Sequence, residues 1–213
     1  MPAPTVRPTM LEAIDLAARR GSSHLFSSLS FSVESGCAMF VTGANGTGKT
    51  TLLRILAGLG APFAGTVRWR GVDVAPFAQS LRDDVAYAGH LPALKDELTA
   101  EENLAALVAL TGESVPESKL RDALSSVALE RQARLPARAL SQGQRRRLGL
   151  ARLSLSRRPL WLLDEPATAL DSAGIALLKR LLSGHLERGG CALVATHQPL
   201  ELPANNVRAL ALS

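Results

Sequence analysis

Apolar and polar positions alternate at Leu29, Phe31 and Val33, with serines between them, the pattern of a half-buried β-strand. A different pattern follows at Cys37–Val41, a short unbroken apolar run stopped by Gly43, as in a strand buried on both faces. Thr50–Leu59 has helical apolar spacing and ends in a glycine-rich turn, and Thr66–Trp69 and Val85–Ala88 read as further short strands. The middle of the chain changes character. Thr99-Ala-Glu-Glu102 is a capping box ahead of an apolar helix, Asn103–Leu110, because Thr99 and Glu102 satisfy each other's end of the first turn. Helices are predicted at Glu117–Leu129, from about Ser141 onward, and at Ser172–Arg188. Strand patterns return at Leu160–Leu163 and Cys191–Ala195. Buried strands alternating with helices argue an α/β fold with a largely parallel sheet, into which residues 91–156 are inserted as a helical subdomain.

Composition agrees with one domain plus a subdomain. The 213 residues are 46% hydrophobic and 20% charged, which excludes wholesale disorder. No apolar run approaches the roughly 20 residues of a membrane-spanning helix. The first ten residues hold three prolines, lack the pattern of a secretory signal, and predict a loose arm over residues 1–9. Two cysteines, Cys37 and Cys191, make no disulfide framework and suit a reducing cytoplasm. No internal repeat appears.

The net charge is +5, and only four of the 24 basic residues are lysine. Nine arginines and no acidic residue lie between Arg131 and Arg158. Such a cluster suits phosphates, anionic lipid or an acidic protein surface, or else a solvated helix face.

Chemistry enters at Gly43, Ala44, Asn45, Gly46, Thr47, Gly48, Lys49 and Thr50, which fit G-x-x-x-x-G-K-[ST] in full, with Thr51 next. The glycines let backbone N–H groups turn inward around phosphates, and the following helix adds its positive end. Lys49 can reach the β- and γ-phosphates, and the Thr50 hydroxyl can hold Mg²⁺. Asp164 and Glu165 follow an apolar strand; beside a phosphate loop, Asp164 would bind Mg²⁺ through water and Glu165 would serve as general base. Ser141, Gln142, Gly143 and Gln144 stand at a helix start, a second anion-binding feature in the same chain.

This order of motifs, completed by Ala169-Leu170-Asp171 and His197, resembles the ATP-binding subunits of ABC transporters over nearly the whole chain. The resemblance implies a phosphate-loop NTPase core with a mostly parallel sheet, an N-terminal antiparallel β part and the inserted helical subdomain. It implies ATP and Mg²⁺ as cofactors and a head-to-tail homodimer. Ser141 through Gln144 would then serve the ATP of the partner protomer, Asp171 the contact between protomers, and His197 the γ-phosphate and attacking water. Two departures stand out. His90 occupies the slot of the family's Q-loop glutamine, and the aromatic residue that stacks on adenine is replaced by Ala18-Arg19-Arg20-Gly21, where Arg20 is the candidate for the base.

The segments Gly89-His90, Leu98–Leu104, Leu140–Arg152, Pro159–Asp171 and Ala195–Leu200 further resemble the ATP-binding subunit of the haem exporter of bacterial cytochrome c maturation. The chain's end soon after His197 disfavours family branches with a regulatory domain or second cassette. That resemblance implies integral membrane permease subunits as partners, at the cytoplasmic side of the inner membrane, with the transported molecule chosen by those subunits. No direct haem binding is expected, since there is no Cys-x-x-Cys-His. The alternatives are the motor of another small exporter or of a vitamin importer and, more distantly, a nucleic-acid-linked ATPase suggested by the arginine cluster; no nucleic-acid partner is expected.

Overall fold

The computed structural model describes residues 7–197, 200–203 and 206–213. The first six residues of the expected arm, and Gln198 and Pro199 of the Ala195–Leu200 segment, lie outside them. The chain divides into two compact units. The first comprises residues 1–87, 158–164 and 182–213, and the second residues 88–157 and 165–181.

The first unit contains two sheets. One is antiparallel, in the order β2-β1-β4-β5, formed by β1 (Thr9–Arg20), β2 (Ser23–Glu34), β4 (Ala64–Trp69) and β5 (Val72–Val74). The other runs β6-β7-β8-β3-β9, from β3 (Ala38–Thr42), β6 (Val85–Ala88), β7 (Leu160–Asp164), β8 (Cys191–Ala195) and β9 (Val207–Ala211). Within it β7, β8, β3 and β9 pair in parallel. Every residue of β7 and β8 is buried, which is why these strands read as continuous apolar runs.

Strand β1 escapes pattern reading because its alternation is broken at Asp15, which takes a left-handed backbone (φ 50°) where the pairing register shifts. The Asp15 N–H donates to Ser30 Oγ at 2.8 Å, replacing a ladder bond. The bulge drives the Asp15 carbonyl toward β4, where a Cβ on Gly65 would come within 2.4 Å of it.

Helix α1 (Lys49–Leu56) is shorter than its apolar spacing predicts. Gly58 turns left-handed, Gly58 N–H bonds the Ile55 carbonyl and Leu59 N–H bonds that of Arg54, which closes the helix as a Schellman motif. A short helix, α2 (Gln79–Asp84), precedes β6. Arg7, in the segment expected to be loose, donates to Asn206 Oδ1 at 3.0 Å and Cys37 Sγ at 3.2 Å. Both cysteines are buried and free, and burial pushes the Cys191 thiol up to about 12. Near it His185 lies flat on the fully buried Trp161, ring centroids 4.0 Å apart.

The second unit is helical: α3 (Ala100–Ala109), α4 (Glu117–Ser126), α5 (Gln142–Leu155) and the start of α6 (Ser172–Glu187). The Thr99–Glu102 capping box forms as predicted. Helix α4 stops before the predicted Leu129 because Ala128 turns left-handed and Leu129 folds back to full burial, its N–H on the Leu124 carbonyl. Asn103 is buried and knits the approach to α3: its Nδ2 donates to the carbonyls of Lys95, Leu98 and Thr99 at 3.0 Å, while its Oδ1 accepts from the Lys95 N–H at 2.8 Å.

Candidate nucleotide site

In the first unit, β3 delivers the chain into the glycine-rich loop and α1 takes it out. Gly43 (φ 145°) and Gly48 (φ 100°) have backbones that side-chain-bearing residues rarely adopt. Space forbids a side chain at Gly43 as well, since a Cβ there would meet the Leu212 carbonyl oxygen at 2.5 Å. At Gly48 it would press on Leu25 and Phe26 of β2 at 3.0 Å. Ala44, Asn45 and Gly46 are exposed, so the crest of the loop faces solvent. Lys49 is buried, and its Nζ donates to the Gly43 carbonyl at 2.7 Å and the Ala44 carbonyl at 3.1 Å. The ammonium is therefore curled over the loop whose amides would face an anion. Thr47 Oγ1 donates to the Ala44 carbonyl at 3.0 Å and braces the same turn. Thr51 is half-buried in the first turn of α1.

Thr50 Oγ1 donates to Asp164 Oδ2 at 2.8 Å, which joins the start of α1 to the end of β7. Asp164 is buried at that strand end, and its charge, second to desolvation, raises the nearby Tyr87 phenol. Among the described residues no group of three or more His, Cys, Asp or Glu side chains could hold a metal ion. The hard oxygens of Thr50 and Asp164 nonetheless form a donor pair of the kind Mg²⁺ accepts when phosphates supply further ligands. His197 follows Thr196 after β8 and is exposed. Arg20 is exposed at the tip of the β1–β2 hairpin, paired with Ser23. Its neighbour Arg19 is the engaged cation, with Cζ 3.9 Å over the Phe63 ring and Nε donating to His24 Nε2 at 3.0 Å.

In the second unit, Ser141 caps α5. Its Oγ accepts from the Gln144 N–H at 3.2 Å, and its own N–H donates to Gln144 Oε1 at 2.9 Å, with Ser141 and Gln142 exposed. A Cβ on Gly143 would stand 3.0 Å from the Ala169 carbonyl oxygen, so glycine lets α5 approach that turn. Asp171 caps α6 by accepting the Gly174 N–H at 2.9 Å, and Arg147 Nη2 grips both its carboxylate oxygens at 2.6 and 2.7 Å. Arg147 and this cap hold the Asp171 carboxyl below the usual carboxylate range. Glu165, first residue of the unit's second segment, has a left-handed backbone, φ 50°. His90 is exposed, and its carbonyl accepts a 2.8 Å bond from Arg146.

A glycine loop closed by Lys-Thr, a threonine bonded to a strand-end aspartate and a serine-capped second motif are together in one chain. The family pattern described as ABC transporter matches residues 26–168, about two thirds of it. The chain belongs to that family. This ABC chain is 48% identical over 204 residues to the cytochrome c biogenesis ATP-binding export protein CcmA of Nitrosomonas europaea, covering 96% of both. It is 50% identical over 197 residues to the same-named protein of Aromatoleum aromaticum, covering 91% of this chain and 92% of that one. Among solved structures it resembles a putative ABC transporter ATP-binding protein of Pyrococcus furiosus, with TM-score 0.81, 27% identity and coverage of 95% and 96%. It also resembles an ATP-binding cassette in a dimeric post-hydrolysis state bound to ADP and Pi, with TM-score 0.76, 25% identity and coverage of 89% and 88%. The α/β architecture expected from the sequence is that of these neighbours, and the chain is an ATP-binding ABC subunit and ATPase. Among the described residues no helix is long and apolar enough to cross a membrane.

Four of the nine arginines in the cluster of this ABC ATPase are engaged within the protein. Arg145 pairs with Asp96 at 2.7 Å, Arg147 with Asp171, Arg146 with carbonyls, and Arg158 with the carbonyls of Arg82 and Val85. Sequence reasoning placed these cations in a basic run and missed their partners, which lie far away in sequence and carry no local signal. It likewise had no means of finding Phe63 beneath Arg19.

Proposed function

We propose that this ABC ATPase is the motor of a cytochrome c biogenesis complex, coupling ATP hydrolysis to haem export or to release of a haem-loaded chaperone. The observation that carries the ATPase site is the 2.8 Å bond from Thr50 Oγ1 to Asp164 Oδ2, which joins the phosphate loop's helix to the acidic strand end. Near-full-length similarity to proteins named for cytochrome c biogenesis export supports the transport system.

In this reading the amides of residues 43–51 cradle the phosphates, and Lys49 leaves the Gly43 and Ala44 carbonyls to meet the β- and γ-oxygens. Thr50 would ligate Mg²⁺, with Asp164 acting through water; the ion's chemistry is to neutralise charge on the phosphate oxygens. Glu165 accepts the proton of the attacking water, and His197 orients water and γ-phosphate. Ser141, Gln142, Gly143 and Gln144 face the ATP of a second copy of the chain, joined head to tail, and Asp171 lies at that junction. His90 senses the membrane-embedded permease subunits, and Arg20 contacts the base. The protein then works at the cytoplasmic face of the bacterial inner membrane, held there by its partners.

Glu165→Gln tests the core of this proposal. The variant is expected to bind Mg·ATP without turnover and to elute as a dimer in size-exclusion chromatography, and Ser141→Arg is expected to return it to monomer. Normal hydrolysis by Glu165→Gln removes Glu165 from the role; a dimer indifferent to Ser141→Arg rejects the shared site. For the transport system, the wild-type gene should restore haem-stained c-type cytochromes in a bacterium lacking its own subunit, and Glu165→Gln should not.

A further inference from the structure

A guanidinium has five N–H donors and cannot shed its charge, so a buried arginine must find acceptors for them. Arg146, in α5, is only 7% exposed. Its Nη1 donates to the carbonyls of Gly89 at 3.2 Å and His90 at 2.8 Å. Nε donates to the Pro166 carbonyl at 3.2 Å, and Nη2 to that of Glu165. One rigid fork thus holds the backbone of two segments remote in sequence, both within the second unit. Glu165 itself has a left-handed backbone at φ 50°, a conformation that persists only where its surroundings impose it. The two bonds to the carbonyls of Glu165 and Pro166 supply that constraint.

We propose that Arg146 is a positioning residue that yokes the segment at His90 to the turn carrying Glu165, so that displacement of one shifts the aim of the other. The inference rests on the assignment of Glu165 as general base. A peptide unit rotated at Glu165 redirects its Cα–Cβ bond, and the carboxylate moves with it. Because Nη1 and Nη2 belong to one planar group, the His90 segment cannot move away without drawing the guanidinium off the Glu165 carbonyl.

The test compares the full-length protein with Arg146→Gln, Arg146→Lys and Glu165→Gln, measuring steady-state ATP hydrolysis, nucleotide affinity and amide hydrogen exchange. Arg146→Gln is expected to lower kcat roughly 10- to 100-fold, the scale of a misplaced catalytic group, with KM and nucleotide affinity changed by less than about threefold. Arg146→Lys keeps the charge and some of the donors, and should fall between. In Arg146→Gln, exchange should quicken together in peptides spanning 88–92 and 164–168, while peptides of α1 keep their protection. A wild-type kcat in Arg146→Gln, or quickening in only one of the two segments, overturns the yoke. So does a loss of kcat that merely follows nucleotide affinity and melting temperature in both Arg146 variants. Slow turnover in Glu165→Gln with normal turnover in Arg146→Gln rejects the yoke alone, whereas normal turnover in Glu165→Gln rejects the base assignment on which it stands.

Discussion

The two units obtain a defined shape by different means. The first is built on apolar strands and helix faces; Leu52, Leu53, Leu160 and Leu162 are all fully buried in its core. Its phosphate loop is shaped by glycine backbones, and its chemical side chains sit at strand and helix ends. The second unit has short helices whose connections are fixed by polar side chains reaching backbone carbonyls, above all Asn103 and Arg146. In the first unit chemistry is added to a fold that stands without it. In the second, the groups that hold the fold together also set the geometry of the functional turns.

Lys49→Ala presses hardest on this contrast. Removing the ammonium should cut ATP turnover on the order of 100- to 1,000-fold, the scale of one lost oxyanion donor, and leave the nucleotide-free melting curve unaltered. Retained activity would take Lys49 out of the site, and a lowered melting temperature would show that chemistry and fold are not separable there. The opposite is expected of Asn103→Ala. The Lys95 N–H loses its acceptor and three carbonyls each lose one of their donors, and the second unit should lose about 2–3 kcal/mol, seen as faster amide exchange across α3. That rivals the roughly 2–5 kcal/mol expected for Leu53→Ala in the first unit. A cost for Asn103→Ala near zero would break the contrast.

How legible each unit is follows from the same difference. The loop at 43–50 and the buried strands Leu160–Leu163 and Cys191–Ala195 are local patterns, and their elements form where the spacing puts them. The capping boxes at Thr99 and Ser141 are local too. Strand β1 was hidden by its bulge at Asp15, and β9 by its exposure, which leaves no continuous apolar run. The Arg147–Asp171 pair and the Arg146 bonds were hidden because side-chain contacts between segments far apart in sequence leave no periodicity.

His185 is a polar group buried in the first unit, and its effect is confined to acid. Burial against Trp161 lowers its pKa to about 4. Nε2 lies 3.1 Å from the Cys191 carbonyl. The unfolded chain takes up a proton below about pH 6.5, whereas the folded one refuses it until about pH 4. Stability is therefore undiminished above pH 6.5 and is lost as pH falls from there to about 4, by on the order of 3 kcal/mol. The Asp171 and Glu102 carboxyls, held low by Arg147 and Thr99, lose stability in the same direction. Denaturation midpoints of wild type and His185→Phe across pH 4–7 isolate the imidazole. An equal slope in both would remove His185 as its cause.

The two buried sulfurs have a practical consequence. With its pKa at about 12, Cys191 is a thiolate in only roughly one molecule in a hundred thousand at neutral pH, and Cys37 is shielded from solvent. Maleimide dyes therefore find no native target in the folded protein. Leu110, 84% exposed, and Val72, 67% exposed, lie in different units. Replaced by cysteine, they would be the labelling sites of an otherwise silent molecule. Energy transfer between dyes at the two positions would then follow the units through a cycle of nucleotide binding and release, with both natural cysteines left in place.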